Sequence, residues 1–242
     1  MPTSHGNSSA RTKFLPPIPS PRAFRDFYAF EQHVKTCRAH RGLEMPPAWY
    51  DAPAFYFSNP NSLVGHEAPV CASKGSVQLD YELELGLVIG RGGKDIKPRD
   101  AWKHVAGFTI VNDFSARDLQ RNEMSVGLGP AKGKDFATAI GPCLVTPDEI
   151  PDVNALKMVA RVNGEVWSEG RFGTIHWSFP QMIAHVSRGE KIYPGDLFGS
   201  GTVGGGCGLE LDRYLQPGDV VELEIQPIGV LKNRAVRAER KP

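Results

Sequence analysis

Residues 79–90 read LDYELELGLVIG, and this string decides the fold. Polar and apolar residues alternate from Asp80 to Leu85 and then give way to a continuous apolar run, the pattern of a β-strand entering a core. In a strand, residues two apart share a face at about 6.6 Å spacing. Glu82 and Glu84 therefore project together, while Tyr81, Leu83 and Leu85 face the other way. Two carboxylates held side by side repel, and carrying them into an apolar run is costly unless a proton or a cation intervenes. A second apolar strand, VAGFTIVND (105–113), ends in Asp113, on the lip of the same core. A third oxygen there suits a hard divalent cation, Mg²⁺ or Ca²⁺. The bland alternative is a solvated strand face, and VELEI (221–225) shows it: Glu222 and Glu224 alternate in the same way, follow a turn with no further acid nearby, and read as an exposed face.

Working outward, the 26 glycines and 20 prolines punctuate short β-branched runs, so the class is mostly β with a few short helices. Strands are predicted in GPCLVTP, LKMVARVNGEVWSEG (a hairpin turning at Asn163-Gly164), DLFGSGTV, a short LEL and DVVELEIQPIGVLKNRAV. Phe27, Phe30, Val34 and Cys37 recur at helical spacing, which predicts an amphipathic helix from Arg25 to Gly42. Ser115 and Asp118 predict a capping box opening a second helix, and Ser178 with Gln181 predict one opening a third. Between Pro46 and Ser76 periodicity is lost. Residues 1–22 are polar and then proline-rich and read as a flexible tail or linker remnant. Residues 23–242 read as a single domain.

Several function classes are excluded. Lys+Arg 28 against Asp+Glu 27 leaves a net charge of +1, too little to hold a phosphate backbone, so no nucleic-acid partner is expected. No apolar run nears the roughly 20 residues that span a bilayer, and no signal peptide is apparent. A cytoplasmic protein without a membrane partner is the expectation. The four cysteines are widely spaced, with no CxxC pair, so neither a zinc site nor a disulfide framework is expected. GSGTVG (199–204) formally matches GxGxxG, but no helix is expected directly after it, so a tight glycine loop with Thr202 and backbone N–H groups facing a small anion is the more economical reading. His33 and Lys134 stay open between catalytic roles and ordinary core or surface ones.

With these stretches lined up, the chain resembles the fumarylacetoacetate hydrolase family over roughly residues 21–242. The strings that carry the resemblance are RDFYAFEQH (25–33), DYELELGLVIG (80–90), VAGFTIVNDFSARDLQ (105–120), KGKDFATAIGPCLVTP (132–147), PGDLFGSGTVGGGCGLEL (194–211) and LQPGDVVELEIQPIGVLKN (215–233). It implies a fumarylacetoacetase C-terminal-like mixed β-roll or β-sandwich, usually a homodimer, that holds Mg²⁺, Ca²⁺ or Mn²⁺ on Glu82, Glu84 and Asp113. Asp26 is a further ligand in the hydrolase branch, and Thr138 a further metal-binding residue. His33 becomes the general base and Glu210 its orienting partner. Arg117, Gln120 and Lys134 become oxyanion or substrate groups, and Tyr28 and Thr202 substrate contacts. The arginine expected beyond His33 has no clean counterpart, Arg38 and Arg41 being only neighbours.

The chemistry so implied is hydrolysis of a carbon–carbon bond in a small oxo-acid, a β-diketo acid of the fumarylacetoacetate or acylpyruvate type. The same scaffold supports decarboxylation or keto–enol isomerisation of oxaloacetate- or hydroxymuconate-type acids. In the resemblance, the D-F-Y-x-x-x-x-H string favours hydrolysis. A non-enzymatic module holding structural Ca²⁺ is a third reading.

Overall fold

The computed structural model describes residues 14–237, so residues 1–13 of the predicted tail lie outside it. The chain is mostly β. In chain order the main strands are β1 (Phe24–Phe27), β2 (Phe55–Ser58), β3 (Leu63–Val64), β4 (Pro69–Cys71), β5 (Leu83–Ile89), β6 (Val105–Asp113), β7 (Thr138–Val145), β8 (Lys157–Val162), β9 (Glu165–Arg171), β10 (Leu197–Gly199), β11 (Val220–Ile225) and β12 (Gly229–Val236). Three short helices join them, α1 (Glu31–Ala39), α2 (Arg117–Ser125) and α3 (Phe179–Ser187). The strands form a seven-stranded sheet, in the order β2-β1-β10-β5-β6-β7-β3, and a five-stranded sheet, β9-β8-β11-β12-β4.

The two sheets pack on each other through one apolar cluster, which takes Leu85, Leu87 and Ile110 from the first and Met158, Leu223 and Ile225 from the second. All six are fully buried, and each such side chain contributes about 1.5–3 kcal/mol of burial. The opposite face of the seven-stranded sheet has its own smaller cluster, Phe24, Val88, Val111, Ile140 and Leu197, with Ile18 from the proline-rich stretch packed against it.

The strand period of two then places the site. Two residues along from that smaller cluster, on the same face, stand Asp26 (from Phe24), Gly199 (from Leu197), Asp113 (from Val111) and Thr138 (from Ile140). Glu84 lies two strand repeats from Val88. Register aligns them: Tyr56 opposes Asp26, Asp26 opposes Gly199, and Thr138 opposes Asp113. One face of one sheet is thus apolar at one end and acidic at the other.

Several local expectations give way to tertiary pairing. Phe24–Phe27 is a strand and not the start of a helix, because it pairs parallel with β10 and buries all four residues. Helix α1 begins only at Glu31, whose acid favours the first turn. Ser115 is not an N-cap: it pairs with Asp80 in a short bridge, and Asp118 accepts from Ser76 and the Val77 N–H. The expected LEL strand is a 3₁₀ turn, Gly208–Leu211. The aperiodic 46–76 stretch contains β2, β3 and β4. The capping box at Ser178 and Gln181 forms as the spacing predicts, and so does the hairpin, with Asn163 and Gly164 both at positive φ. Among the described residues no helix is long and apolar enough to cross a membrane.

Candidate active site

The acidic end of the seven-stranded sheet opens on a cavity of about 690 Å³ lined by Tyr28, His33, Glu82, Glu84, Gln120 and Lys134 among others. Asp26, Glu82 and Asp113 each offer a carboxylate oxygen, all within 4.8 Å of one another. Glu84 meets Asp26 across Gly199, where an added Cβ would overlap Asp26 Oδ1 and stand 2.9 Å from Glu84 Oε2. The bare backbone there lets the two carboxylates share the space. Lys134 Nζ bridges Glu82 at 2.5 Å and Asp113 at 2.6 Å. Thr138 donates to Asp113 at 3.0 Å, so in this geometry it orients that carboxylate, and Thr202 donates to Glu84 at 3.4 Å.

Electrostatics divides the cluster. Burial would push Glu82 upward, but Lys134 and Arg117 outweigh it and hold the carboxyl at about 2. Asp26 and Glu84 have no such partner in full. Burial pushes both well above the usual carboxylate range, and the neighbouring acids, Asp113 for Asp26 and Asp26 for Glu84, push further. Asp26 Oδ1 and Glu84 Oε2 are buried side by side with no hydrogen-bond partner besides each other.

These two oxygens, otherwise unpartnered in an all-oxygen donor set, fit a hard divalent cation. The residues that would hold it are Asp26, Glu82, Glu84 and Asp113.

Beside the cluster stands His33. Its Nδ1 bonds Glu210 Oε2 at 2.9 Å, and its Nε2 lies 4.0 Å from Glu82 Oε1. Glu210 is fixed in turn by the Gly205 N–H at 3.0 Å. Burial lowers the His33 pKa, but Cys207 and Glu210 more than offset it and lift the imidazole to about 10. Burial raises Glu210, and His33 overrides this to leave it lowered. Tyr28 packs edge-on to the His33 ring, and burial keeps its phenol protonated.

Arg117 is a brace more than an exposed hand. Its nitrogens bond Asp80 at 2.7 Å, Glu82 at 2.8 Å and Gln120 Oε1 at 3.0 Å, and it is 5% exposed. The Gln120 amide NH₂ is the donor left for a molecule in the cavity. The glycine loop is no anion nest: Ser200 and Val203 N–H groups bond the Leu85 and Leu83 carbonyls, and Thr202 faces Glu84. Arg38 and Arg41 line the same cavity.

Two contributors escaped the sequence reading. Asp80 accepts from Arg117 and from the N–H groups of Tyr81, Gly208 and Leu209, tying the brace to the turn that carries Glu210. Its signal was present, since Asp80, Glu82 and Glu84 continue one alternation. Tyr56 donates to Asp113 at 2.5 Å and to Asp26 at 3.3 Å, and nothing in FYFS announces it. The cysteines also differ from expectation, because Cys37 and Cys207 both come to His33.

With the geometry in place, comparison with known proteins is decisive for kinship. The profile of the fumarylacetoacetate hydrolase C-terminal domain matches residues 22–236. The chain belongs to the fumarylacetoacetate hydrolase family. It is similar to the oxaloacetate tautomerase YisK of Bacillus subtilis, 34% identical over 94% of this chain and 74% of the relative. It is also similar to the human mitochondrial oxaloacetate tautomerase FAHD2A, 40% identical over 76% of this chain, and spans 59% of that protein's length. Among solved structures, the fumarylacetoacetate hydrolase of Exiguobacterium antarcticum superposes with a TM-score of 0.79 at 32% identity, over 93% of this chain and 78% of that one. The expectation that D-F-Y-x-x-x-x-H favours hydrolysis finds no support in the first two of these relatives, which are named as tautomerases.

Proposed function

We propose that this member of the family is a divalent-cation-dependent keto–enol tautomerase of a small oxo-diacid of the oxaloacetate type. The observation that carries the reading is a proton-transfer pair aimed at a cation site: Glu210 holds His33 Nδ1, which leaves Nε2 facing Glu82 and the cavity. The oxaloacetate tautomerases among the relatives support this reaction over carbon–carbon hydrolysis.

Tautomerisation moves one proton. The enol O–H breaks, a C–H forms on the neighbouring carbon, and the double bond passes from C=C to C=O, with no water consumed. A bound divalent cation supplies Lewis acidity toward the substrate's oxygens. His33 Nε2 exchanges the proton with the substrate, and Glu210 stabilises the imidazolium and fixes its orientation, as a carboxylate does in a hydrolytic triad. Tyr28 and the Gln120 amide donate hydrogen bonds to the bound acid, and Arg41 or Arg38 at the cavity wall answers its second carboxylate. Lys134 bridges Glu82 and Asp113, balances their charge and holds the two carboxylates together. Residues 23–242 act in this reading as one catalytic domain of a homodimer, which light scattering would report.

The test follows enol-oxaloacetate by its ultraviolet absorbance in chelator-treated protein, with and without added Mg²⁺ or Mn²⁺. Faster decay of the enol on adding metal, with neither pyruvate nor acylpyruvate cleavage, is expected. Hydrolysis remains the second reading, because the same His33–Glu210 pair could activate water. Cleavage of an acylpyruvate with unchanged enol decay would put it first.

A further inference from the structure

We propose a second cation site, suited to a soft ion such as Zn²⁺, built from His33 Nδ1, Cys37 Sγ, Cys207 Sγ and a Glu210 carboxylate oxygen. These four atoms lie within 4.8 Å of one another. Tetrahedral bonds of about 2.0–2.3 Å place ligand atoms about 3.3–3.8 Å apart. The observed separations bracket that: Cys37 Sγ to His33 Nδ1 3.6 Å, Cys207 Sγ to His33 Nδ1 4.0 Å, and Cys207 Sγ to Glu210 Oε2 3.4 Å. The 2.9 Å His33–Glu210 hydrogen bond is shorter than this and must open by about half an ångström.

The ligands come from two rigid pieces. His33 and Cys37 are four apart on α1 and share a face, and Cys207 and Glu210 flank the start of the 3₁₀ turn at Gly208–Leu211. The outer contacts suit an ion as well. The Gly205 N–H holds Glu210 Oε1, which fixes the carboxylate with Oε2 toward the thiols. His33 and Cys37 line the cavity, so an ion has a way in, while Cys207 is fully buried behind them.

Donor type separates this site from the acidic cluster. Thiolate and imidazole select zinc and its neighbours, whereas an all-carboxylate set selects Mg²⁺, Ca²⁺ or Mn²⁺. Binding would release the thiol protons to solvent and form two metal–sulfur bonds without any oxidant. It would also take His33 Nδ1 and Glu210 together, so a zinc ion here stops the enzyme while the acidic cluster keeps its own cation. That inhibitory consequence, unlike the site itself, rests on the proposed role of the His33–Glu210 pair.

The experiment uses the reduced protein, saturated with Mg²⁺ and titrated with Co²⁺, whose thiolate-to-metal charge-transfer absorption reports sulfur ligands. One Co²⁺ per chain with a two-thiolate band, displaced by Zn²⁺, is expected. Cys37→Ser and Cys207→Ser should each weaken binding at least roughly 10-fold. Should Cys207→Ser fail to fold, Cys37→Ser carries the test, and Zn²⁺ protection of the cavity-lining Cys37 thiol of the parent from alkylation, read by mass, needs no variant. A folded parent with no charge-transfer band, Cys37 alkylated equally with and without Zn²⁺, or equal zinc inhibition of parent and Cys37→Ser would overturn the site. A two-thiolate band with undiminished turnover would uphold the site and remove the His33–Glu210 pair from the proposed mechanism.

Discussion

Glu82-Leu83-Glu84 and Glu222-Leu223-Glu224 are the same three residues in extended chain, one at the head of β5 and the other inside β11. In both, the leucine is fully buried in the core between the sheets and the glutamates face away from it. The difference lies in what covers the glutamate face. Glu222 and Glu224 are half-buried at the outer face of the five-stranded sheet and have basic partners, Lys232 at 2.9 Å and Arg161 at 2.6 Å. Glu82 and Glu84 are 5% and 1% exposed beneath the glycine loop, Tyr56 and Lys134, with Asp26 and Asp113 brought in from neighbouring strands. Alternation decides which face a carboxylate takes, and the layer above that face decides whether it becomes an ion pair or a metal site.

The sharpest way to break this comparison is to remove the group that turns the buried copy into a reactive one. His33→Ala should lower tautomerase kcat by about 10²–10⁴-fold, with metal affinity, measured by calorimetry, nearly unchanged because imidazole is not among the cluster's ligands. Glu210→Gln should cost less, and the double variant should lose no more than His33→Ala alone, since both act in one step. A parental rate in His33→Ala would leave the buried acids as a cation site without the proposed chemistry.

Next in size is Glu84→Gln. It keeps shape but removes the charge, and should weaken divalent-cation binding by about 100-fold or more, beyond the loss of a ligand's hydrogen-bonding neighbour. Glu224→Gln, the same change in the same local sequence, should leave binding unaltered. Equal behaviour of the two variants in titration calorimetry would erase the distinction between the copies.

Much of this contrast was legible in the sequence and part was not. Period two gave Glu82 and Glu84 a common face, and the end of an apolar run marked Asp113, because both signals are local. Asp26 was misplaced on a helix, since Phe27, Phe30, Val34 and Cys37 satisfy helical spacing and the pairing that makes Phe24–Phe27 a strand comes from β10, some 170 residues away. Tyr56 and Cys207 were invisible as partners for the same reason: each meets the site through contacts of long sequence separation. His33 and Lys134 stayed ambiguous from residue type alone, and only the resemblance gave them roles.

A smaller effect concerns pH. Burial and neighbouring acids raise Asp26 and Glu84 in the cation-free protein, so these carboxyls hold protons that a metal must displace. Affinity should rise with pH, by up to about 10-fold per unit for each proton released, and calorimetry in buffers of different ionisation enthalpy should detect the release. The sign for stability is opposite. The folded chain without metal binds protons more tightly than the unfolded chain, whose values are ordinary, 3.8 and 4.5. That contribution is complete at low pH and is lost as pH climbs through the raised values. The gap in Tm between cation-loaded and stripped protein should therefore widen with pH, and a constant gap would mean that the two carboxyls are already ionised.

The smallest effect is expected where the sequence pattern is identical and the surroundings are not. Glu222→Gln and Glu224→Gln each remove one charge from a half-exposed pair with a long basic side chain, and such pairs contribute about 0–1 kcal/mol because water and salt screen them. Lys232 and Arg161 remain partly exposed after the change, so neither is left as a buried unpaired charge. The double variant should unfold in denaturant within about 1 kcal/mol of the parent and keep full turnover. Asp80→Asn supplies the counterpart inside the site: it leaves Arg117 buried beside Glu82 with one charged partner fewer, a change of about 3–5 kcal/mol when a buried pair is broken. If the surface double variant proved as destabilising as Asp80→Asn, the covering layer would not be what separates the two E-L-E strings.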